Sequence, residues 1–427
     1  MTSDEASESR RAFIFDDGTH DLSPVTDLRA VFDVRTGGLT MLERFELAFG
    51  IAPAMLSVPV ALKGIVRESH SGVTVTSAGE EIAPPAGEMF VLNGQCHLPL
   101  AGIDDLESGQ ALVEPDEHGG GFVAAVCDGP TAQLLANPAT RNAALSKLDV
   151  VYTDERVLVR RLWDMRALRD LCIDVDLSLT LDVLFDSTDE GPGLPEGVTI
   201  IGDHRVWIDP NAVVYPTVVI DAQDGPVYIA GNATARPGSV LVGPCWIGSG
   251  STIIDRSIIR AHTAIGPVCK VAGEITGTVF QGYSNKAHDG FLGDSWVGQW
   301  VNLGAGTTNS NLLNTYAEIP IQQHPGGSRE RSGQTFFGCV LGDHTKTAIC
   351  TRIMTGAIVH TGTMWARTEP MAGAIASFSW ATDAGVRTFR FEKFVETMRA
   401  AMQRRNHKPS DAELARLNAL FDAGVSA

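Results

Sequence analysis

The sequence has few of the features that mark proteins binding nucleic acid or crossing a membrane. Its 427 residues contain 33 Lys and Arg against 51 Asp and Glu, which gives a formal net charge of −18. This shortage of positive charge argues against a nucleic-acid or anionic-membrane partner, because both require a basic surface. No apolar run reaches the roughly 18–20 residues that a membrane span needs.

Cysteine is scarce as well, and its spacing excludes two kinds of small fold. The seven cysteines are odd in number and include no CxxC pair, so they match neither a disulfide framework nor a zinc site. The polar, acidic start of the chain is unlike a secretory signal. The sequence therefore predicts a cytoplasmic protein with reduced, mostly buried thiols and no metal site built from them. Its length allows two or three domains.

What the sequence does contain is an internal repeat of six residues. Eight consecutive positions six residues apart are all apolar: Ile229, Ala235, Leu241, Ile247, Ile253, Ile259, Ile265 and Val271. A small residue follows four positions after seven of these eight, and the pattern resumes at Phe291 and at Leu341. This period predicts a left-handed parallel β-helix, in which each hexad forms one side of a triangular coil and the apolar residue fills the interior.

The first part of the chain follows a different pattern. Short apolar strands at 13–15 and 89–92 alternate with helical spacing at 40–49, which predicts an α/β domain with a mainly parallel sheet. A Gly- and Pro-rich segment at 189–197 is typical of a linker. We predict three parts: a Rossmann-like α/β domain at 1–195, the β-helix at 196–380 and a helical tail at 381–427. A capping-box pattern at 410–413 opens the last predicted helix.

The densest polar segment of the chain interrupts the hexads at 282–294, with the sequence GYSNKAHDGFLGD. A repeat that breaks its own pattern with Asn, Lys, His and Asp usually does so for function. Histidine suits proton transfer near neutral pH, so His288 is the leading candidate for a catalytic base. The alternative is a surface turn in which His288 is only hydrogen-bonded.

Together with neighbouring segments, this stretch resembles a known family. The similar segments are GE at 273–274, GYSNKAHDGFLGD at 282–294, VNLGAGT at 301–307, NSNL at 309–312, GDHTK at 342–346 and SFSW at 377–380. They are similar to the bifunctional bacterial enzymes that join an N-acetylglucosamine-1-phosphate uridylyltransferase to a glucosamine-1-phosphate N-acetyltransferase. They resemble even more closely the bacterial sugar nucleotidyltransferases related to those enzymes. The resemblance covers nearly the whole chain and is most specific over 265–380.

The resemblance implies roles for individual residues of the β-helix. His288 falls at the position of the general base, which takes a proton from the acceptor amine as the amine attacks a thioester. Glu274 matches a glutamate that orients the site, and Asn302 matches an asparagine that contacts the sugar. The positions implied to contact acyl-CoA are Ala305 and Ile349. The other residues assigned to the substrate are Lys270, Asn285, Lys286 and Asn311.

Four positions depart from the acetyltransferase pattern. Phe291 stands in place of a tyrosine that contacts the sugar, and Thr276 and Ala317 stand in place of lysines. A site arginine of that pattern falls near Ala272, although Lys270 lies beside this position. The proton-transfer group is thus kept while part of the phosphate-binding charge has changed. The identity of the acceptor therefore stays open.

The resemblance also implies a nucleotide site in the first domain. Enzymes of this type open with a Gly-rich loop whose amides cradle a triphosphate, whereas the loop here is DDGTHD at 16–21, with Asp17 and Gly18 as candidate contacts. Gly94 stands where related enzymes have a Gly-Asp pair that binds magnesium, but Gln95 follows it. Two carboxylates repel a triphosphate unless a divalent cation lies between them, so Mg²⁺ is expected only if this domain is active.

From these features we expect a transferase. The leading hypothesis is N-acyl transfer to an amino sugar or amino-sugar phosphate, with acetyl-CoA or another acyl-CoA as co-substrate. The alternatives are a Mg²⁺-dependent sugar-1-phosphate nucleotidyltransferase, with a nucleotidyltransferase-like first domain, and a non-catalytic trimer that binds sugar nucleotides. The resemblance implies a homotrimer in which a neighbouring coil closes the site into a cleft. No nucleic-acid or membrane partner is expected.

Overall fold

The computed structural model of the chain describes residues 11–80, 87–98, 102–187 and 193–425. The predictions made for the start of the chain and for the first part of the linker at 189–197 lie outside these ranges. Contacts divide the chain into two units. The first contains the described residues up to Leu22, Arg29–Val34 and the described residues of Leu39–Asp164, and the second contains Ser23–Leu28, Arg35–Gly38 and the described residues from Met165 onward.

The first unit is built around a seven-stranded mixed sheet. Its strands are β1 (Arg11–Phe15), β2 (Pro53–Ser57), β3 (Thr74–Thr76), β4 (Glu88–Asn93), β5 (Gln110–Glu114), β6 (Gly121–Asp128) and β7 (Asp149–Tyr152). They lie in the order β3-β2-β1-β4-β6-β5-β7, and β6 runs antiparallel to both of its neighbours. The predicted strands at 13–15 and 89–92 are confirmed as β1 and β4, which pair in parallel.

Among the described residues of this part of the chain, five α-helices start: α1 (Met41–Phe49), α2 (Lys63–Ser69), α3 (Gly129–Ala136), α4 (Pro138–Leu145) and α5 (Leu162–Asp186). Short 3₁₀ turns occupy Val31–Asp33, Val60–Leu62 and Asp116–His118. The predicted helix at 40–49 is confirmed as α1, which begins after Thr40. The Thr40 hydroxyl accepts from the Glu43 amide, and the Glu43 carboxylate accepts from the Thr40 amide, so two amides at the helix start are satisfied.

Most of α5 belongs by its contacts to the second unit, whereas the sequence prediction placed residues 165–187 in the first domain. The Arg169 guanidinium of this helix is buried and donates to Asp294 Oδ1 at 2.7 Å. Arg166 Nε lies 2.9 Å from the same oxygen. These ion pairs tie the helix to the second unit.

The second unit is a series of short parallel strands in which every third strand joins the same sheet. We call these sheets the first, second and third faces. The first face contains Thr199–Ile201, Val219–Asp221, Val240–Val242, Ile258–Ile259, Glu274–Thr276 and Phe291–Gly293. The second contains Val206–Ile208, Val227–Ile229, Cys245–Ile247, Thr263–Ile265, Val279–Phe280, Trp296–Val297, Cys339–Leu341, Ala357–Val359 and Ala374–Ile375. The third contains Val213–Val214, Thr234–Ala235, Thr252–Ile253, Lys270–Val271 and Asn285–Lys286.

Later strands continue the same stacking. A bridge through Asn302 links the third face to a four-stranded sheet of Lys346–Thr347, Met364–Ala366, Ser379–Thr382 and Gly385–Thr388. Two smaller pairings are Thr308–Asn309 with Arg352–Ile353, and the antiparallel hairpin of Pro320–Gln322 with Arg329–Arg331. The arrangement is consistent with the predicted parallel β-helix, and the left-handed turn of its coil stays a prediction.

The hexad pattern correctly identifies the interior of this unit. All eight apolar residues from Ile229 to Val271 are buried in one core cluster. The small residue near each corner is buried too, and the hydroxyls of Ser239, Ser251 and Ser257 are satisfied locally. Ser251 shows how: its hydroxyl donates to the Gly266 carbonyl at 2.7 Å and accepts from the Cys269 amide at 2.9 Å. A larger side chain would disrupt this turn.

The six-residue phase slips after Val271, because one corner is short, and the predicted interior position Phe291 is wrong by one residue. Four residues connect Ile253 to Ile258, but only Ala272 and Gly273 connect Val271 to Glu274. The interior residue of the next strand therefore arrives early, at Ile275. One coil later Leu292 pairs with Ile275 and is fully buried, whereas the predicted interior residue Phe291 is partly exposed.

Two helices form the predicted tail, α6 (Phe391–Gln403) and α7 (Asp411–Val425). Phe394 and Met398 share the buried face of α6, as their spacing predicted. The Ser410 hydroxyl accepts from the Glu413 amide at 3.0 Å, which confirms the predicted cap of α7. All seven cysteines are free, and only Cys350 is exposed. Among the residues described, no helix combines the length and hydrophobicity of a membrane span.

Neighbouring isoleucines of one strand provide a test of this fold. Ile259 is fully buried in the core, whereas the side chain of Ile258 is only partly buried. We expect Ile259→Ala to lower the free energy of unfolding by about 2–5 kcal/mol, because it removes buried methyl groups and leaves a cavity. Ile258→Ala is the matched control and should cost much less in urea unfolding. Equal losses for the two variants would contradict the assigned interior.

Candidate functional site

A long groove follows one corner of the second unit. Its residues lie in the turns that leave third-face strands and enter first-face strands, so successive coils contribute one after another. We call it the corner groove; its volume is about 980 Å³. Its lining residues are Thr217, Pro237, Gly238, Ile254, Asp255, Arg256, Ala272, Ala287, His288, Asp289, Ala305, Gly306, Ile349 and Cys350. Three residues predicted from the sequence, His288, Ala305 and Ile349, therefore line the same groove.

The His288 side chain is exposed in the middle of this groove. Within the described ranges, no residue gives its imidazole a hydrogen bond or an ion pair. A histidine kept only to stabilise a turn would normally be hydrogen-bonded, whereas this ring is free to exchange a proton with a bound molecule. Asp289 is the carboxylate next to it in the groove.

The Glu274 carboxylate is paired with Arg260. Glu274 starts a first-face strand, and its Oε1 accepts from Arg260 Nε at 2.6 Å. Both side chains are partly exposed. The implied role of Glu274 in orienting His288 thus finds no contact in the structure, and Asp289 is the better placed acid.

Three of the residues assigned to the sugar share the outer side of the third face. Lys270, Asn285 and Asn302 are paired across successive coils, so their side chains lie in one column. Asn285 Nδ2 donates to Asn302 Oδ1 at 3.4 Å, and Asn285 Oδ1 accepts from Arg405 in the tail at 2.7 Å. Lys270 and Asn302 are exposed. The column offers amide and ammonium groups suited to hydroxyls or a phosphate.

Two other predicted substrate residues do not join this column. Lys286 points into the core and is only 2% exposed, and burial lowers the pKa of its ammonium to about 8. Asn311 lies at a different corner, where its Nδ2 donates to Asp294 Oδ2 at 2.8 Å. The sequence shows that a position is polar but not whether its side chain points into the core or toward solvent, so Lys286 could not be distinguished from Lys270.

The first unit has a topological switch point at the carboxyl ends of its central strands. The connection order reverses between β1 and β4, and ligands of open α/β sheets bind outside such a point. The loop after β1 carries Asp16 and Asp17, and Gly94 and Gln95 follow β4. Gly94 contacts the end of β1 directly, since its amide donates to the Phe15 carbonyl at 2.7 Å.

Both carboxylates of the loop are turned inward and satisfied by protein groups. Asp16 Oδ1 accepts from the Gly18 amide at 2.9 Å and lies 3.1 Å from His20 Nε2, and its Oδ2 accepts from the Val31 amide at 2.9 Å. Burial works against the charged form, but the hydrogen bond and charge of His20 and the two amides lower the pKa of Asp16 below its ordinary value. Asp16 therefore acts as an internal anchor of the loop.

Asp17 is neutralised from the opposite side. Its Oδ2 accepts from Arg141 of α4 at 2.6 Å, and its Oδ1 accepts from the Thr19 amide at 2.9 Å and from Gln95 Nε2 at 3.3 Å. The Asp17 side chain is fully buried. A magnesium ion between these carboxylates would have to displace Arg141 and His20. Because both carboxylates already have protein partners, these residues as arranged do not fit Mg²⁺. Within the described ranges, no group of three or more His, Cys, Asp or Glu could hold a metal ion.

Comparison with known proteins identifies the first part of the chain. Residues 12–181 match the family model described as sugar nucleotidyl transferase. The match covers less than half of the chain and shows a domain similar to sugar nucleotidyl transferases. The predicted resemblance is confirmed, and with it the expectation of a transferase. The matched residues include the loop after β1 and the residues that follow β4.

Curated proteins also match a part of the chain. Bifunctional protein GlmU of Desulfitobacterium hafniense (strain DSM 10664 / DCB-2) is 32% identical over 152 residues, which cover 30% of this chain and 33% of that protein. Bifunctional protein GlmU of Trichormus variabilis (strain ATCC 29413 / PCC 7937) is 28% identical over 157 residues, which cover 32% and 34%. The chain thus spans about a third of the length of the curated relatives it matches.

A solved structure is also similar, although too distantly to support an argument. It is the crystal structure of mannose-1-phosphate geranyltransferase from Thermus thermophilus, with 13% identity and a TM-score of 0.20. The match covers 55% of this chain and 92% of that one.

Sequence reasoning missed several residues of the corner groove. Arg256 and Cys350 line it from coils on either side of His288, and both have a positive φ (59° and 56°) in their turns. The repeat could have indicated the first of them, because Arg256 lies one coil of three hexads after Gly238, which also lines the groove. Cys350 follows the long insertion that contains the hairpin. The six-residue spacing is interrupted there, so the earlier hexads do not predict the position of Cys350.

The inward position of Asp16 generates a pH-dependent prediction for the sugar nucleotidyl transferase domain. Its lowered pKa means that the carboxylate stabilises the fold above the ordinary value of 3.8, and that this gain is lost as the pH falls below it. We expect Asp16→Asn to lower the free energy of unfolding by about 1–3 kcal/mol at pH 7. The difference in the free energy of unfolding between wild type and Asp16→Asn should become smaller as the pH falls below 3.8.

Urea unfolding between pH 7 and pH 3 measures this difference. Asp104→Asn, at an exposed carboxylate, is the control and should change little at any pH. If the difference in unfolding free energy between wild type and Asp16→Asn stays constant across this range, the charge of Asp16 does not stabilise the fold.

Proposed function

We propose that the corner groove catalyses acyl-CoA-dependent N-acyl transfer to an amino sugar or amino-sugar phosphate. The observation that carries this proposal is the exposed His288 imidazole, which has no partner in the described part of the chain and shares its groove with Ala305 and Ile349. An amine nucleophile must lose a proton as it attacks, and an imidazole is a suitable acceptor near neutral pH.

The reaction needs few groups beyond this base. The acceptor nitrogen attacks the thioester carbonyl, so a C–N bond forms as the C–S bond breaks. His288 takes the proton that the nitrogen loses and can return it to the departing thiolate. Asp289, beside it in the groove, is the candidate to stabilise the charged imidazole.

The shape of the groove supports a long co-substrate. It extends over several coils and carries the exposed Ile349 side chain in one part and the exposed Arg256 guanidinium in another. A guanidinium suits a phosphate of the coenzyme, and an apolar side chain suits its acyl or pantetheine part. Ala305 would contribute backbone groups.

The acceptor is proposed to bind on the third face beside this corner. Lys270, Asn285 and Asn302 supply an ammonium and two amides in one column, which suits a sugar bearing hydroxyls or a phosphate. Glu274, Lys286 and Asn311 have no direct part in this arrangement. A homotrimer, in which a second coil covers the open groove, is part of the same proposal.

Replacing His288 tests the role of the base. We expect His288→Ala to lower kcat by at least about 10²-fold, because general-base removal typically costs that much. Binding of acyl-CoA should be nearly unchanged. Asn302→Ala should act mainly on KM for the acceptor, since it removes a binding contact. The assay is thiol release from acetyl-CoA with a panel of amino sugars and amino-sugar phosphates.

His204→Ala is the matched control, because His204 is an exposed histidine of the same unit outside the groove. It should keep wild-type kcat. If an acceptor turns over and His288→Ala also keeps wild-type kcat, the proposed mechanism is wrong.

A second candidate is nucleotidyl transfer by the first domain, which the family match at 12–181 favours. The loop contacts argue against efficient catalysis, since the loop carboxylates are already paired with His20 and Arg141, and Gln95 stands where related enzymes have a magnesium-binding aspartate. A binding role for sugar nucleotides without catalysis is the remaining alternative.

We expect only weak binding of UTP or dTTP in the presence of Mg²⁺, without steady release of pyrophosphate. Calorimetry and a coupled pyrophosphate assay measure the two quantities. Gln95→Asp is the informative variant, because it restores the missing carboxylate and should strengthen binding of the magnesium–nucleotide complex. Submicromolar affinity and steady turnover in the wild type would contradict this prediction.

A further inference from the structure

Lys286 occupies a position that the fold otherwise reserves for apolar residues. It pairs with Val271 in the inward column of the third face, where Ala235 and Ile253 precede it. Its side chain is 2% exposed, and no described residue forms an ion pair with it. Its Nζ instead donates to the carbonyls of His288, at 2.7 Å, and Ala272, at 3.2 Å. The lysine therefore lies beneath the turn that carries His288.

Other turns along the corner groove satisfy these carbonyls without a lysine. A hydroxyl at the fourth residue of the turn donates to the carbonyl of the first. Such pairs are Ser239 to Arg236 at 2.7 Å, Ser257 to Ile254 at 2.6 Å and Thr351 to Ala348 at 2.8 Å. The carbonyl of the second residue accepts an amide from the next coil, as Pro237 does from Arg256 at 3.1 Å. Regular turns thus need no side chain from the interior.

The turn at 287–290 lacks both solutions. Its fourth residue is Gly290, which has no hydroxyl, and the amide of Gly306 in the next coil donates to the Asp289 carbonyl rather than to that of His288. The short turn one coil earlier ends at Gly273 and has no hydroxyl for Ala272 either. The Lys286–Ala272 hydrogen bond is buried and the Lys286–His288 hydrogen bond is partly buried. A carbonyl shielded from water without a donor is costly, so an internal donor is favoured here.

We propose that Lys286 is the positioning residue of the His288 turn: its ammonium replaces the missing donors and thereby fixes the direction in which the imidazole enters the groove. This inference rests on the proposed function of His288 for its catalytic consequence. The structural part of it, a lysine that sets the position of the histidine, stands on the contacts alone.

The surroundings of Lys286 suit a donor rather than a reacting amine. Burial lowers the pKa of its ammonium to about 8, and the charge of Asp289 opposes that effect. The side chain thus remains largely protonated at neutral pH. The ammonium lies close to Gly273 and Gly290: an added Cβ would lie 3.3 Å or 3.4 Å from Nζ, and closer still to backbone atoms of the next coil.

Lys286→Met tests the role, because methionine keeps the apolar length and removes the donor. We expect kcat for acyl transfer to fall by about 10²-fold, the typical effect of a small misplacement of a catalytic group, with the Kd for acetyl-CoA nearly unchanged. The second readout does not depend on activity. In spectra of protein labelled at the histidine rings, the signal of His288 should shift while those of the other histidines stay in place.

The His288 signal is identified by its loss in His288→Ala. Lys346→Met is the matched control: Lys346 is another largely buried lysine, its pKa is also lowered to about 8 by burial, and it donates to the carbonyls of Trp300 and His344 at 3.4 Å. It should leave the His288 signal in place. If Lys286→Met does not fold, Lys286→Gln, which retains a donor amide, should give a smaller shift of the same signal.

The two proposals fail in different ways. An unshifted His288 signal in the folded Lys286 variant, with kcat within about twofold of wild type, would overturn the positioning role. Wild-type kcat in His288→Ala would overturn the proposed function, and the ring signals would still decide whether Lys286 positions the histidine.

Discussion

Stacked coils must return the chain to the same three sheets on every circuit, and each turn must satisfy its backbone groups as it does so. This requirement sets the length of every corner in the second unit. Where a corner keeps four residues, the hexad pattern continues and small hydroxyls complete the hydrogen bonding. Where it shortens to Ala272 and Gly273, the phase of the interior changes and new donors are needed.

The polar residues of the second unit are placed by the same requirement. Corners are the only parts of a coil where the chain leaves the sheets, so they can carry side chains such as His288 and Arg256 without disturbing the core. Successive corners align, and residues far apart in the chain, such as Ala305 and Ile349, line one groove. The core supplies the rigidity, while Lys286 shows that the interior can also support a corner directly.

The first unit uses charge in a different way. The carboxylates of its β1 loop are paired with His20 and Arg141 inside the protein. They therefore stabilise the conformation of the loop and are not arranged as ligands of a cation. The family match and the residue contacts therefore give different information. The match indicates the kind of domain, whereas the contacts show that the loop carboxylates are paired within the protein.

The sequence by itself determined the repeat, the interior column from Ile229 to Val271, the strands β1 and β4 and the start of α1, because these depend on periodicity and local capping. It also singled out His288. Only the tertiary structure decided that Lys286 points inward and that Asn311 lies at another corner. It also decided that the Asp16 carboxylate is paired with His20 and the Asp17 carboxylate with Arg141. Side-chain direction follows from how coils of unequal length stack, and a linear pattern does not contain that information.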